Sequence, residues 1–304
     1  MQRRARFDPL LEVRIIGSRT LRYDQPAPAG EDRPDHVRGA SGLAFFGGRL
    51  VVVQDDASFL AVVSRDGVSA IPLGRGPKGR RRFEVALGNK LDKLDLESCI
   101  AIGDELWAFG SGSLPIREQI VRVRHGLPRT SQPAAFYARL REEAGGALNL
   151  EGVALVGSEL WLFHRGNTGP ADRGPCVLRV EFSDLRDWLD GRDHLPALTG
   201  VDPYDLGAID GHRLGFTDAY GAGDRVFYLA SAEASADAIE DGPIAGSQLG
   251  VITADDVRAA SLGAIKAEGI ALDPVRPGRA WIVVDPDDPD QPATLLEAEL
   301  VGPW

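Results

Sequence analysis

ASGLAFFGGRLVVVQDD (residues 40–56) sets a hydroxyl residue and a glycine before an apolar run, turns at Gly47-Gly48, and returns as a second apolar run ending in two aspartates. Two such runs joined by a glycine pair read as a β-hairpin. The pattern recurs as LESCIAIGDELWAFGSGS (96–113), LEGVALVGSELWLFHRGN (150–167), FTDAYGAGDRVFYLASAE (216–233) and AEGIALDPVRPGRAWIVVDPDD (267–288). Self-similarity at a steady period points to an all-β protein, a β-propeller with one blade per copy. We read one domain over residues 1–304 with five blades. In the first blade the strands are expected near 42–46, 49–53, 59–64 and 68–72.

After the fifth hairpin only one further strand fits, TLLEAELVG (294–302). The alternating segment LLEVRIIGSRTL (10–21) is therefore expected to supply the missing outer strand. Closing the ring with an N-terminal strand removes open sheet edges. A sixth blade within residues 168–212 is the alternative. FSDLRDWLDGRDHLPALTG (182–200) reads as a short helix and loop at a blade edge, and REEAGG (141–146) as a helical turn.

The 304 residues are 43% hydrophobic and 26% charged, enough for a large core. A net charge of -11 argues against nucleic acid and anionic membranes as partners. No apolar run is long enough for a transmembrane helix. MQRRARFDPLLEV (1–13) lacks the apolar stretch of a secretory signal, so a cytoplasmic location is expected. Cys99 and Cys176 lie in or beside strand patterns and read as buried free thiols. The oligomeric state is open.

The repeat aligns one residue per blade: Ser41, Glu97, Glu151, Thr217 and Glu268. If the blades surround an axis, three carboxylates and two hydroxyls meet there. Carboxylates in a narrow channel either take up protons or bind a cation. An all-oxygen set suits calcium, and without Cys or His it does not suit zinc.

This ordered set resembles the calcium-activated nucleotidases, five-bladed apyrases whose blades offer Ser, Glu, Glu, Ser and Glu to one central calcium. SGLAFFGGRLVVVQDD (41–56) is similar to their first blade, GFTDA (215–219) to their Gly-Phe-Ser-Ser segment and KAEGIAL (266–272) to their Tyr-Glu-Gly-Ile segment. The resemblance spans roughly residues 38–285. It implies a calcium-binding propeller that hydrolyses phosphate or ester bonds. Several positions depart from the family. Ala57 follows Asp56 where those enzymes carry Arg, and the loop GSGSLPIRE (110–118) offers Arg117 in place of Lys. Only Arg165 stands for their paired arginines, and Ala232-Glu233 replaces Ser-Glu.

The loops after each second strand are expected to share one face, forming a funnel mouth for a small-molecule ligand or substrate. They carry Asp55, Asp56, Ser111, Ser113, Arg117, Glu118, His164, Arg165, Asn167, Glu233 and Asp285. In the hydrolase reading, Asp55 or Asp56 activates water, His164 serves as acid or base, and Arg165 balances developing charge beside Glu233. Arg117 and Asn167 would bind substrate, as would Arg80 and Arg81 of the basic run GRGPKGRRRF (74–83). DPDDPDQ (285–291) reads as an exposed acidic turn. Two other readings stand beside the hydrolase. One is a non-catalytic binding propeller pinned by calcium; the other is a sugar-active enzyme that uses funnel carboxylates without a metal.

Overall fold

The computed structural model describes residues 2–166, 172–233 and 244–304. Five sheets, each built on an antiparallel four-stranded blade, follow one another along the chain. Blade one comprises Ala40–Phe46, Arg49–Gln54, Phe59–Val63 and Val68–Pro72, close to the expected bounds. Blade two comprises Leu96–Ile102, Glu105–Gly110, Ile120–Arg124 and Leu127–Ser131. Blade three comprises Leu150–Val156, Glu159–His164, Cys176–Glu181 and Leu198–Asp205, and blade four His212–Ala222, Arg225–Glu233, Ile244–Ile252 and Val257–Gly263. Blade five takes Ala267–Leu272, Arg279–Val284 and Thr294–Val301 from the chain's end. Its outermost strand is Glu12–Thr20, paired antiparallel with Thr294–Val301, so the ring closes through the N-terminal segment as expected.

The six-blade alternative fails on pairing. Cys176–Glu181 and Leu198–Asp205 are the third and outermost strands of blade three, and the helix Phe182–Leu189 lies in their connection. A second helix, Ala134–Ala144, precedes blade three and covers the 141–146 segment only in part. The N-terminal segment does more than close blade five. Arg3–Arg4 pairs parallel with the edge of blade three, and Arg6–Phe7 with the edge of blade four. Each short pairing covers an otherwise open edge.

The cores lie between blades. Trp107, Phe109, Leu150 and Leu178 share one cluster between blades two and three, and Leu43, Val63, Val283 and Leu295 share another between blades one and five. Cys99 and Cys176 are free and buried, as read from the sequence. Among the described residues, no helix is long and apolar enough to cross a membrane.

Each innermost strand carries one β-bulge, and all five fall at the aligned position of the repeat. The register shifts between Ala40 and Gly42, Leu96 and Ser98, Leu150 and Gly152, Phe216 and Asp218, and Ala267 and Gly269. The skipped residues are Ser41, Glu97, Glu151, Thr217 and Glu268. A bulge leaves one residue outside the ladder and re-aims its side chain. The glycine that follows has a packing cause. A Cβ on Gly42 would lie 2.9 Å from the Ser98 Cα, and one on Gly152 would lie 3.0 Å from the Ala219 nitrogen. At Gly42 and Gly152 inner strands converge backbone to backbone and leave little room for a side chain, whereas the equivalent positions of blades two and four hold Ser98 and Asp218. Gly152→Ala should therefore cost about 1–3 kcal/mol in denaturant unfolding, as overpacking does. Gly17→Ala, whose Cβ would meet nothing nearer than 3.7 Å, should change little.

Candidate functional site

The five bulge residues ring the axis, but the structure uses them in two ways. The hydroxyls stitch blades together: Ser41 Oγ donates to the Leu96 carbonyl at 2.5 Å, and Thr217 Oγ1 to the Ala267 carbonyl at 2.6 Å. Two of the glutamates, Glu151 and Glu268, face cations. Arg165 reaches Glu151 at 3.4 Å and Glu233 at 2.6 Å, and Asn149 Nδ2 donates to Glu151 at 2.7 Å. Lys266 Nζ lies 3.4 Å from Glu268 and 3.7 Å from Glu233, and also pairs with Asp287. Lys93 Nζ sits between Asp55 at 2.5 Å and Asp95 at 2.6 Å. Asp95 is held further by Arg117 at 3.0 Å and by the Ser111 hydroxyl.

Glu97 differs from the other two glutamates, with no ion pair within salt-bridge distance among the described residues. It forms, with Asp55 and Asp95, a set of three acidic ligands whose oxygens lie within 4.8 Å of one another. Glu97, Glu151 and Glu268 form no such set. The five expected calcium ligands thus ring the axis without gathering, and ammonium and guanidinium groups stand among them. They do not fit a preformed calcium site.

Several determinants sit two residues before the bulge: Asp95, Asn149 and Lys266. Side chains two apart on a strand share a face, so the repeat itself pointed to this second ring. The remaining two blades have glycine there, and the gap is filled. A Cβ on Gly39 would lie 1.9 Å from Asp55 Oδ1, and one on Gly215 would lie 2.6 Å from Arg165 Cγ. Arg38 and Lys93 carry no such repeat signal.

Beside this network a cavity of about 440 Å³ opens to solvent. Asp55, Asp56, Lys93, Lys266 and Asp285 form its polar wall, and Phe83, Val85, Ala86 and Pro289 its apolar wall. The connection from blade one to blade two folds over the mouth to supply Phe83, Val85 and Ala86. Arg38 fixes Asp56 with two N–H groups, at 2.7 and 2.9 Å, and Glu84 at 2.8 Å.

Other expected site residues lie elsewhere. His164 is fully buried; its Nδ1 accepts the Asn149 N–H at 3.1 Å and its Nε2 faces Asp172 at 3.7 Å. Glu118 pairs with Arg141 at 2.5 Å. Ser113 bonds Ser111 and Arg117. Arg81 pairs with Glu31 at 2.5 Å, its backbone N–H donates to Asp32, and Arg80 is exposed. Neither arginine lines the cavity. Asn167 lies outside the described residues.

Burial disfavours ionisation of Asp56, Glu97, Glu151 and Asp285. Burial and the neighbouring Asp55 raise Asp56 to about 6. Burial raises Glu151 to about 7 against the pull of Arg165, and Asp285 to about 8 against the pull of Lys266. Glu97 is pushed well above the carboxylate range by burial and by Asp95, Glu151 and Asp55. Burial pulls Lys93 down, but Asp55, Asp95 and Glu97 outweigh it and hold the ammonium charged. These carboxyls keep protons in the folded state that the unfolded chain releases near its ordinary carboxylate values. Their stabilising contribution is complete below those values and is lost as pH rises through about 6, 7 and 8. In chelator, the melting temperature should be higher at pH 5.5 than at pH 8.5, and Asp285→Asn should flatten the difference. A melting temperature that rises over this window would contradict the assignment.

No curated protein matches this chain. A glutaminyl cyclase from Myxococcus xanthus superposes with a TM-score of 0.52 at 12% identity, covering 100% of both chains. A mannose phosphorylase from Leishmania mexicana superposes with a TM-score of 0.51 at 14% identity, covering 93% of this chain and 88% of its own. At such identities the likeness is one of fold. Residues 36–300 match a family profile. The chain belongs to that family, DUF6929, described as a family of unknown function.

Proposed function

We propose that this propeller is a metal-independent acid–base hydrolase of a small neutral substrate, a carboxylic ester or lactone, bound in the axial cavity. The observation that carries the reading is the shared wall of that cavity: Asp56 and Asp285 beside the ammonium groups of Lys93 and Lys266. Environments that push two carboxyls to different values assign their roles. At neutral pH Asp56 is mostly ionised and Asp285 mostly protonated. Asp56 takes a proton from water as the water oxygen bonds to the carbonyl carbon. Lys266 faces the charge that develops on the carbonyl oxygen. Asp285 gives its proton to the alcohol oxygen as the carbon–oxygen bond breaks. Electrostatic stabilisation and proton transfer supply the rate.

The charge balance supports a neutral substrate. Asp55, Asp56, Glu84, Asp285, Asp287 and Asp288 line the cavity against Arg38, Lys90, Lys93 and Lys266. A nucleoside polyphosphate would meet net repulsion there. This departs from the nucleotidase resemblance.

Chelator-treated protein should hydrolyse aryl esters or lactones and leave nucleotides and aryl phosphates intact. The rate should follow a bell with limbs near pH 6 and 8. Asp285→Asn should lower kcat by about 10²–10⁴-fold. Turnover confined to aryl glycosides, or none in any class, would overturn the reading. A second reading is favoured by the Asp55, Asp95 and Glu97 oxygens within 4.8 Å of one another. These residues would hold a divalent cation in exchange for the Lys93 ammonium, and the cation would neutralise an anionic substrate. Phosphate hydrolysis that appears only with added calcium would favour it.

A further inference from the structure

The same cavity that gathers Asp56 and Asp285 also has a lip of exposed carbon, made by Val85, Ala86 and Pro289. Val85 lines the cavity yet is 75% exposed, so a ligand can reach it. Among the described residues nine large apolar side chains are exposed. Three of them, Val85, Leu87 and Leu91, fall within seven residues of the connection from blade one to blade two. Single exposed apolar side chains are ordinary, but a group of them at the edge of a cavity marks what the cavity takes.

Poor packing does not explain the group. Phe83 is 1% exposed and Leu94 is buried, so both ends of the segment are pegged into the core. Between them the chain is fastened in a tight form. Asn89 Oδ1 accepts the Glu84 N–H and Asn89 Nδ2 donates to the Arg82 carbonyl, both at 2.9 Å. The Gly88 N–H donates to the Val85 carbonyl at 2.9 Å, with Gly88 in the left-handed conformation at φ 64°. Arg38 binds Glu84 and Asp56 together, so the segment that carries Val85 is tied to the cavity's acids. On the other side, His36 Nε2 lies 3.2 Å from the Pro289 carbonyl oxygen. The lip is held in place with its apolar side chains turned away from the core.

We propose that the substrate of the axial cavity carries an aliphatic chain of medium length, which lies along Val85, Ala86 and Pro289 while its ester or lactone carbonyl faces Lys266. The inference rests on the hydrolase reading for the reactive end of the substrate and adds the lip for its chain. Polar groups fix the carbonyl, and non-directional apolar contact selects for chain length. A chain held equally in ground and transition states lowers KM and leaves kcat nearly unchanged.

The test has an activity arm and a binding arm. p-Nitrophenyl acetate, butyrate and octanoate share a leaving group and differ only in their chains. With chelator present, kcat/KM should rise at least about tenfold from acetate to octanoate, mostly through KM, since each methylene moved from water to apolar surface contributes up to about fourfold. Val85→Ser should cut the octanoate-to-acetate ratio by more than about threefold. Val275→Ser, at an exposed valine that does not line this cavity, should leave the ratio as in the wild type. In the second arm, octanamide and acetamide, neutral analogues that the enzyme is not expected to cleave, are titrated into nitrogen-15-labelled protein. Octanamide should move the Val85 and Ala86 amide signals saturably and bind at least about tenfold more tightly than acetamide. Octanamide bound at these signals, with no ester hydrolysed, would uphold the lip as an aliphatic-chain site and remove the hydrolase reading. Ester hydrolysis equally fast for every chain, with both signals unmoved at millimolar octanamide, would overturn the lip and leave the hydrolase reading standing.

Discussion

Five inner strands must approach a common axis, and the closeness of that approach governs the rest of the molecule. Where backbones meet, Gly42 and Gly152 leave no room for a side chain, and a bulge beside each releases one residue toward the axis. The same geometry that packs the ring therefore turns Glu97, Glu151 and Glu268 toward the axis. Their mutual repulsion has to be answered inside the fold. Lys93, Arg165 and Lys266 supply the answer, each set among acids from more than one blade.

Buried ion pairs of this kind add little net stability, because desolvation offsets attraction. Removing one partner is another matter, since it strands a buried charge. The network is thus better understood as a means of fixing position. Arg165 ties blade three to blade four through Glu151 and Glu233, and Lys266 ties blade four to blade five through Glu233 and Glu268. Rigid placement of this sort is what proton transfer requires of Asp56 and Asp285, and Arg38 gives Asp56 the same support from within blade one. Fold and proposed chemistry share one set of contacts.

Much of this was legible in the sequence because it repeats. The hairpin pattern gave the blades, the lone strand at 294–302 gave the closure, and the aligned residues gave the axis. What the sequence hid has no period. Lys93 and Arg38 occur once, and their meaning depends on Asp55 and Asp56 from another stretch. The basic run at 74–83 promised an anion site, but Glu31 and Asp32, far away in sequence, take up Arg81. His164 stood in a loop pattern beside Arg165, yet it ends a strand and points into the core. The two-residue strands at Arg3–Arg4 and Arg6–Phe7 are too short to register as hydrophobic alternation. The axial oxygens were legible, whereas the ammonium groups of Lys93 and Lys266 that fold among them were not.

Built-in ammonium groups neutralise the axial acids. Lys93→Met keeps the bulk of the side chain and deletes its charge between Asp55 and Asp95. Thermal unfolding of wild type and variant at pH 8, each with chelator and with calcium, tests the claim directly. The wild type should be indifferent to calcium, and the variant should have a lower melting temperature that calcium partly restores by binding the folded state alone. A wild type strongly stabilised by calcium, with a variant no less stable in chelator, would contradict it.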